Sequence, residues 1–206
     1  MDWDTVLDPS LSPEEVILER LVELHQARRE DFASFVSTEL IVSLEFADIG
    51  ERFTLALGPD QARAVRGDMI DFPQASLRGQ AAEWKRSIAL LGRLVHPADE
   101  RIDHYQGRVE IDRGIRDDFE RFDGVLEVEI VDLPDGGDPI TFEVILNDYD
   151  EPPRARRARI SIQWSVLEDL ANGRVTPVEA ARRATLRGAV GLALELGGFC
   201  MAEFDL

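Results

Sequence analysis

Strict alternation of apolar and polar residues is the feature that most constrains what this chain can fold into. Residues 40–46 and 52–57 place a large apolar side chain at every second position, with polar residues such as Ser43, Glu45 and Thr54 between them. A period of two residues predicts β-strands with one buried face. Because only a few residues separate the two segments, they predict a hairpin in an antiparallel sheet.

The same arrangement begins again in the second half of the chain. Residues 126–130 and 140–146 alternate on either side of Pro134-Asp135-Gly136-Gly137, which is a turn sequence. Residues 158–164 predict a further strand of the same kind. The second half therefore repeats the strand pattern of the first.

Helices are expected on both sides of these strands. Ser12-Pro13-Glu14-Glu15 and Thr176-Pro177-Val178-Glu179 both have the capping-box pattern that begins a helix. Another helix is expected over residues 81–91, ending at Gly92, with a new one beginning at Pro97. The sequence predicts an α+β fold with mostly antiparallel sheets and helices packed on one face.

The return of the same strand pattern in the second half predicts an internal duplication. Trp84 and the later Gly92-Arg93 and Pro97 line up with Trp164 and the later Gly173-Arg174 and Pro177. We therefore divide the chain into residues 1–121, which include the N-terminal helix, and residues 122–206. The second unit looks one strand short, so its open edge is expected to pair with the other unit or with a second chain.

The order of these elements resembles the sterol carrier protein family, the type-two or non-specific lipid-transfer kind. That family has a strand, a short helix ending in Gly-Lys or Gly-Arg, a Pro-initiated helix and a glycine-containing strand that leads into an apolar helix. In this chain the pattern is carried by Ala158-Arg159-Ile160-Ser161-Ile162, Gly173-Arg174, Pro177 and Leu186-Arg187-Gly188, and in the first half by Gly92-Arg93, Pro97 and Gly107-Arg108-Val109-Glu110-Ile111.

The resemblance implies helices that cover one sheet face around an apolar tunnel, here as two units in pseudo-symmetric tandem. It also implies binding of fatty acyl chains or sterols, or a pocket lent to a neighbouring enzyme domain. In the second half, Arg182 or Arg183 replaces a glycine, and residues 148–157 are too few and too charged for the family's third strand. In the first half, Arg113 replaces a glycine and the helix over residues 115–122 is acidic rather than apolar. These departures weaken the expectation of a tunnel more in the first half than in the second.

The net charge of the chain limits the kinds of molecule that it is expected to bind. The 206 residues include 41 acidic and 23 basic ones, for a formal net charge of -18. Such a charge repels phosphate backbones, so no nucleic-acid partner is expected. The longest apolar stretch, residues 189–202, is too short to span a bilayer, so no stable membrane insertion is expected. The acidic start does not resemble a signal peptide, and a cytoplasmic protein is predicted.

Residues that could carry chemistry are few. His25, His96 and His104 include no pair at metal-ligand spacing, and Cys200 lies in an apolar stretch where a buried, inert thiol is expected. His104, next to Asp103, is interpreted as a solvated helix residue rather than a base. The sequence predicts no catalytic residue, no metal and no cofactor, and so a protein that is not an enzyme.

A cluster of four arginines in the second half has two interpretations. Arg154, Arg156, Arg157 and Arg159 could contact an anion or a lipid headgroup. Alternatively they neutralise the acidic residues at 148, 150 and 151, which is the reading favoured by their alternation along an extended strand.

The apolar residues of the second half are the best candidates for a lipid site. They lie on one sheet face and on one side of the last helix, and comprise Phe142, Val144, Ile162, Trp164, Leu192, Leu196 and Phe199. A packed core and a lipid tunnel would use the same residues. The leading hypothesis is non-catalytic binding of a long-chain apolar ligand, a fatty acyl or sterol-like lipid. The alternative is an interaction or scaffold module with a filled core and no ligand, with a homodimer or a protein partner.

Overall fold

Eight strands form one mixed sheet in the computed structural model, which describes residues 2–69, 73–99, 111–147 and 156–203, with side chains as far as residue 200. The strands lie in the order β3-β2-β1-β4-β6-β5-β7-β8. Their bounds are β1 Leu40–Phe46, β2 Glu51–Leu57, β3 Ala62–Arg66, β4 Ala75–Gly79, β5 Gly124–Val131, β6 Ile140–Leu146, β7 Arg157–Gln163 and β8 Thr185–Gly188.

The helices precede, separate and follow these strands. They are α1 Trp3–Val6, α2 Pro13–Glu15, a π-helical turn Val16–Arg20, α3 Leu21–Ala27, α4 Arg29–Ala33, α5 Trp84–Asp99 after a 3-10 turn Ala81–Glu83, α6 Arg113–Phe119, α7 Trp164–Ala171, α8 Pro177–Arg183 and α9 Val190–Glu203. Both predicted capping boxes are confirmed, with Ser12 and Thr176 as the N-caps.

Both halves of the chain connect their strands in the same way. β1 forms an antiparallel hairpin with β2 and pairs in parallel with β4, and β5 does the same with β6 and β7. A helix that begins at a tryptophan follows each parallel strand, at Trp84 after β4 and at Trp164 after β7. This connectivity agrees with the restart in the sequence, while the duplication itself stays a prediction.

The two halves meet through the antiparallel pair β4–β6. The free edge of β6 is thus covered by a strand from before residue 122, which is one of the two pairings expected for it. The sheet runs without interruption across the predicted division between residues 1–121 and 122–206.

One face of the sheet is apolar and is covered by helices. The predicted α+β class is confirmed, with five antiparallel and two parallel strand pairs and helices packed on that face. Clusters form between the π-helical turn and Phe46 and Phe53, between α5 and Ile130, Ile140 and Phe142, and between α9 and Leu126 and Ala158.

The opposite face carries a row of charges across the strands. In register order these residues are Arg52, Glu45, Arg78, Glu143, Glu127 and Arg159. Arg78 lies at the junction of the halves, with its Nε 3.1 Å from Glu45 Oε2 and one terminal nitrogen 3.2 Å from Glu143 Oε2. Burial alone lowers the pKa of Arg78, but hydrogen bonds and the charges of these two carboxylates more than offset this and raise it above its ordinary value.

Three boundaries predicted from local signals are wrong. α5 does not end at Gly92, and Pro97 lies inside its last turn instead of starting a helix. Ile88 and Leu90 before the glycine are buried, and Val95 after it also packs into the core, so tertiary packing outweighs the cost of about 1 kcal/mol that a glycine adds to a helix. Trp164, predicted as the end of a strand, is instead the first residue of α7.

We predict that Arg78→Met destabilises the protein by about 1–3 kcal/mol. The variant keeps an aliphatic side chain but removes the cation that Glu45 and Glu143 share, while Glu143 keeps its contact with Arg157. Urea unfolding at low salt should show the loss, and added salt should reduce it by screening the carboxylates.

The matched control is Arg63→Met, because Arg63 pairs with Glu39 at the exposed edge of the sheet, with about half of its side chain accessible. It should change stability by less than about 0.5 kcal/mol. Equal losses in the two variants would contradict a special role for the β4–β6 junction.

Candidate functional site

An apolar cavity of about 260 Å³ lies where β1 and β4 begin, beneath α6 and the end of α9. Its accessible walls are apolar. The lining residues are Leu40, Ile41, Val42, Gln74, Ala75, Ile111, Ile115, Arg116, Phe119, Phe199 and Cys200. The cavity is therefore built by four segments that are far apart in the sequence.

Helix α6 closes one side of the cavity. Asp112 caps it, since its carboxylate accepts a hydrogen bond from the backbone N–H of Ile115 at 2.8 Å. Ile115 and Phe119 are four residues apart, so both lie on the same face of the helix and line the cavity. Ile111, the residue before Asp112, forms a parallel β-bridge with Val36.

Helix α9 closes the other side. Leu192, with no exposed surface, fixes its first turn against Leu126 and Ala158. This close approach requires Gly124, which has a φ of +137°, and a Cβ there would lie 2.6 Å from a methyl carbon of Leu192. Two turns later Phe199 reaches the cavity, with its ring centroid 6.3 Å from that of Phe119.

Gln74 and Arg116 are the polar side chains with hydrogen-bonding groups at nitrogen or oxygen among the described lining residues. Gln74 accepts a hydrogen bond from the backbone N–H of Ile41 at 2.6 Å and donates one to Glu120 Oε1 at 3.3 Å. A terminal nitrogen of Arg116 lies 3.1 Å from Asp117 Oδ1, and its Nε lies 3.8 Å from Glu120 Oε1. An otherwise apolar cavity is thus bordered by a small charged network.

Cys200 brings a thiol to the cavity wall. Burial raises the pKa of this thiol above its ordinary value. A raised pKa favours the neutral thiol at physiological pH, and only the thiolate is an effective nucleophile. This environment agrees with the inert thiol expected from the sequence.

The seven residues predicted to bind lipid are distributed over several parts of the core. Phe142 and Trp164 pack with α5, and Ile162 packs with α7 and α8. Val144 belongs to the cluster that Leu192 and Leu196 of α9 form with the sheet. Phe199 is the one of the seven that lines the cavity. Their role in ligand binding stays a prediction, but the structure places six of them in packed clusters.

Sequence reasoning missed the walls that α6 and the first strands provide. The helix over residues 115–122 has an acidic composition, which weakens the expectation of an apolar wall there. Its apolar residues Ile115, Phe119 and Phe122 are nevertheless spaced by four and three positions, which is typical of one buried helix face. That spacing was the available signal.

The polar candidates have structural partners. His25 is buried, and its Nε2 lies 2.8 Å from the carbonyl oxygen of Gly58, so this nitrogen carries the hydrogen. His96 pairs with the exposed Asp4. Within the described ranges, no three histidine, cysteine or acidic residues are grouped as metal ligands. His104 and Asp103 lie outside the described residues.

The described arginines of the four-arginine cluster pair with carboxylates on neighbouring elements. Arg156 pairs with Asp123 and Glu195, while the partners of Arg157 and Arg159 are Glu143 and Glu127, respectively. Arg154 and the acidic residues at 148, 150 and 151 lie outside the described residues. Neutralisation therefore involves neighbouring strands and α9.

None of the helices in the described part of the chain combines the length and apolar character needed to cross a membrane.

No protein-family model matches this chain, and no curated protein matches its sequence. Solved structures that are similar to it include a UbiJ-SCP2 ubiquinone synthesis protein. The two chains are 9% identical with a TM-score of 0.27, and the aligned part covers 39% of this chain and 68% of that one. This degree of similarity is too low to transfer a site or a ligand.

We predict that Cys200 reacts slowly with iodoacetamide at pH 8, because its raised pKa reduces the thiolate fraction. The rate should keep rising as the pH passes about 8.5, the ordinary pKa of a thiol. The same chain in concentrated urea is the control, and it should react as an ordinary thiol. A rate that reaches its plateau below pH 8 in the folded protein would contradict the prediction.

Proposed function

We propose that this protein binds an apolar ligand, such as a fatty acyl chain, in the cavity between β1, β4, α6 and α9. The observation that carries the proposal is a volume of about 260 Å³ with apolar accessible walls. The cavity is partly open to solvent, so its apolar walls are exposed to water unless a ligand covers them. Covering apolar surface is favourable, and this supports a binding role.

The volume of the cavity limits the size of the ligand that it can hold. An engineered apolar cavity of about 150 Å³ holds one benzene ring, whereas sites for drug-sized ligands have volumes of about 300–1,000 Å³. At about 260 Å³ the cavity suits one ring or a chain segment rather than a whole sterol. Each buried methylene contributes about 0.8 kcal/mol, so a chain of eight contributes roughly 6 kcal/mol before the costs of association.

We further propose that binding is non-catalytic. Cys200 is the one nucleophilic side chain among the described lining residues, and its raised pKa keeps the thiol neutral. These described residues include no histidine or carboxylate that could act as a base toward it. The sequence resemblance to sterol carrier proteins agrees with a binding role.

The alternative function is an interaction module without a ligand. It is favoured by the packed clusters that hold six of the seven predicted lipid-binding residues, and by Leu194, which is 62% exposed on α9. An exposed apolar residue of this size could contact a protein partner. A binding protein should hold an apolar ligand in the cavity, whereas an interaction module should hold none.

The decisive experiment is a mass measurement on the freshly purified protein under native conditions and after denaturation. We expect a mass lost on denaturation that matches a fatty acyl chain or a similar apolar molecule. Ala75→Phe should abolish this difference, or weaken binding of an added apolar ligand by at least about tenfold, because the ring occupies the cavity. Thermal unfolding checks that the variant still folds.

Val65→Phe is the matched control, because Val65 is an exposed residue of the edge strand β3 and does not line the cavity. It should retain the ligand. If the wild-type protein shows no lost mass and binds no added hydrocarbon, the interaction module is the better account.

A further inference from the structure

The arginines of this chain are concentrated at one end of the sheet. Residues 156–188, which include β7, α7, α8 and β8, contain seven arginines and three acidic residues, for a net charge of +4. The remaining residues carry a net charge of -22, which gives the whole chain its -18. A strongly acidic protein therefore has one basic end, and the edge strand β8 belongs to it.

Most of these arginines already have carboxylate partners. The three at the start of β7 pair with neighbouring elements, as described above. Asp169 is shared by Arg174 at 3.1 Å and Arg183 at 3.7 Å. The carboxylate of Glu179 accepts a hydrogen bond from the backbone N–H of Thr176 in the capping box. Together α8 and β8 hold three arginines and this one glutamate, a net charge of +2.

Arg187 of β8 differs from the others. Its side chain is exposed, and it has no ion-pair partner among the residues that the structure describes. It lies directly opposite Arg159 in the register of β7 and β8, and like charges in opposite positions are unfavourable. Glu127 pairs with Arg159 and offsets one of these two charges. A carboxylate beside Arg187 would offset the other.

The backbone of β8 is open on the side away from β7. β8 is the last strand of the sheet, so no described strand pairs with its outer side. The N–H of Ala189 donates to the carbonyl oxygen of Arg157 at 2.8 Å, and hydrogen-bonded positions alternate along an antiparallel pair. Arg187 therefore bonds to β7, whereas Leu186 directs its N–H and C=O outward. Such an edge is a template for another extended chain.

The opposite edge of the sheet lacks this combination. On β3, Arg63 pairs with Glu39, and Arg66 pairs with both Glu14 and Glu51. Both arginines of β3 thus have carboxylate partners within the chain. The uncompensated charge distinguishes β8 from the other edge strand.

We propose that β8 binds an acidic, extended segment of a partner protein, which adds to the sheet as a ninth strand. The open backbone selects a peptide, and Arg187 selects a carboxylate. In an antiparallel addition, the residue opposite Arg187 is in a non-hydrogen-bonded pair, where side chains approach most closely. The residue opposite Leu186 lies on the helix-covered face, in line with Ile160, and an apolar side chain fits there. The segment therefore alternates acidic and apolar residues. This inference is independent of the cavity and its ligand.

The test uses the full-length protein and the blocked peptide acetyl-Gly-Glu-Val-Glu-Val-Glu-Gly-amide in NMR titrations at low salt. A second peptide has lysine in place of glutamate, and a third has N-methyl groups on both valines, which removes the N–H groups that would face β8. We expect the acidic peptide to bind and to shift the amide signals of β8. The other two peptides should bind at least about tenfold more weakly.

A pair of variants tests the role of the charge. Arg187→Gln removes the positive charge and keeps a polar side chain, so affinity for the acidic peptide should fall roughly fivefold or more. Arg63→Gln makes the same change on the other edge strand and should leave this affinity unchanged. Thermal unfolding checks that both variants fold.

The inference is overturned if the acidic peptide does not bind, or if the lysine or N-methylated peptide binds as tightly. Unchanged affinity in Arg187→Gln overturns it as well. Tighter binding of a single-stranded oligonucleotide than of the acidic peptide would assign the basic end to nucleic acid instead. A dimer of the protein alone that Arg187→Gln dissociates would assign β8 to a second copy of this chain. None of these outcomes bears on ligand binding in the cavity.

Discussion

The antiparallel pairing of β4 with β6 is the contact on which the rest of this structure depends. It joins two sets of strands into one sheet, and it gives the helices a continuous apolar face to cover. The pairing extends past the strand ends, where the N–H of Asn147 donates to the carbonyl oxygen of Gln74. The side chain of Asn147 donates to the carbonyl oxygen of Glu120, just after α6. The same junction thus orders one wall of the cavity.

Much of the fold could be predicted from the sequence, because it follows from local patterns. Alternation at residues 140–146 gives the bounds of β6, and the capping boxes at Ser12 and Thr176 begin helices where expected. Prediction failed at Gly92, where a local stop signal competes with packing on both sides of it. Such competition is decided by tertiary contacts, which a single sequence does not display.

The cavity could not be predicted for a different reason. Apolar walls and a filled core need the same residue types, so composition does not distinguish Phe142, which packs in a cluster, from Phe199, which lines the cavity. The difference lies in how well distant segments fit together. It depends on the positions of Val42 and Ala75 relative to α6. The register of the parallel pair β1–β4 places these two residues side by side.

The residues that position α9 on the sheet differ from those that line the cavity. The helix rests on the sheet at Gly124 through Leu192, whereas Phe199 is seven residues further along, a distance of about 10 Å. A methyl group at Gly124 would lie 2.6 Å from the backbone carbonyl oxygen of Arg156 and from a methyl carbon of Leu192, so the fit of the helix on the sheet would have to change. The shape of the cavity therefore depends on residues 124 and 192, although neither lines it.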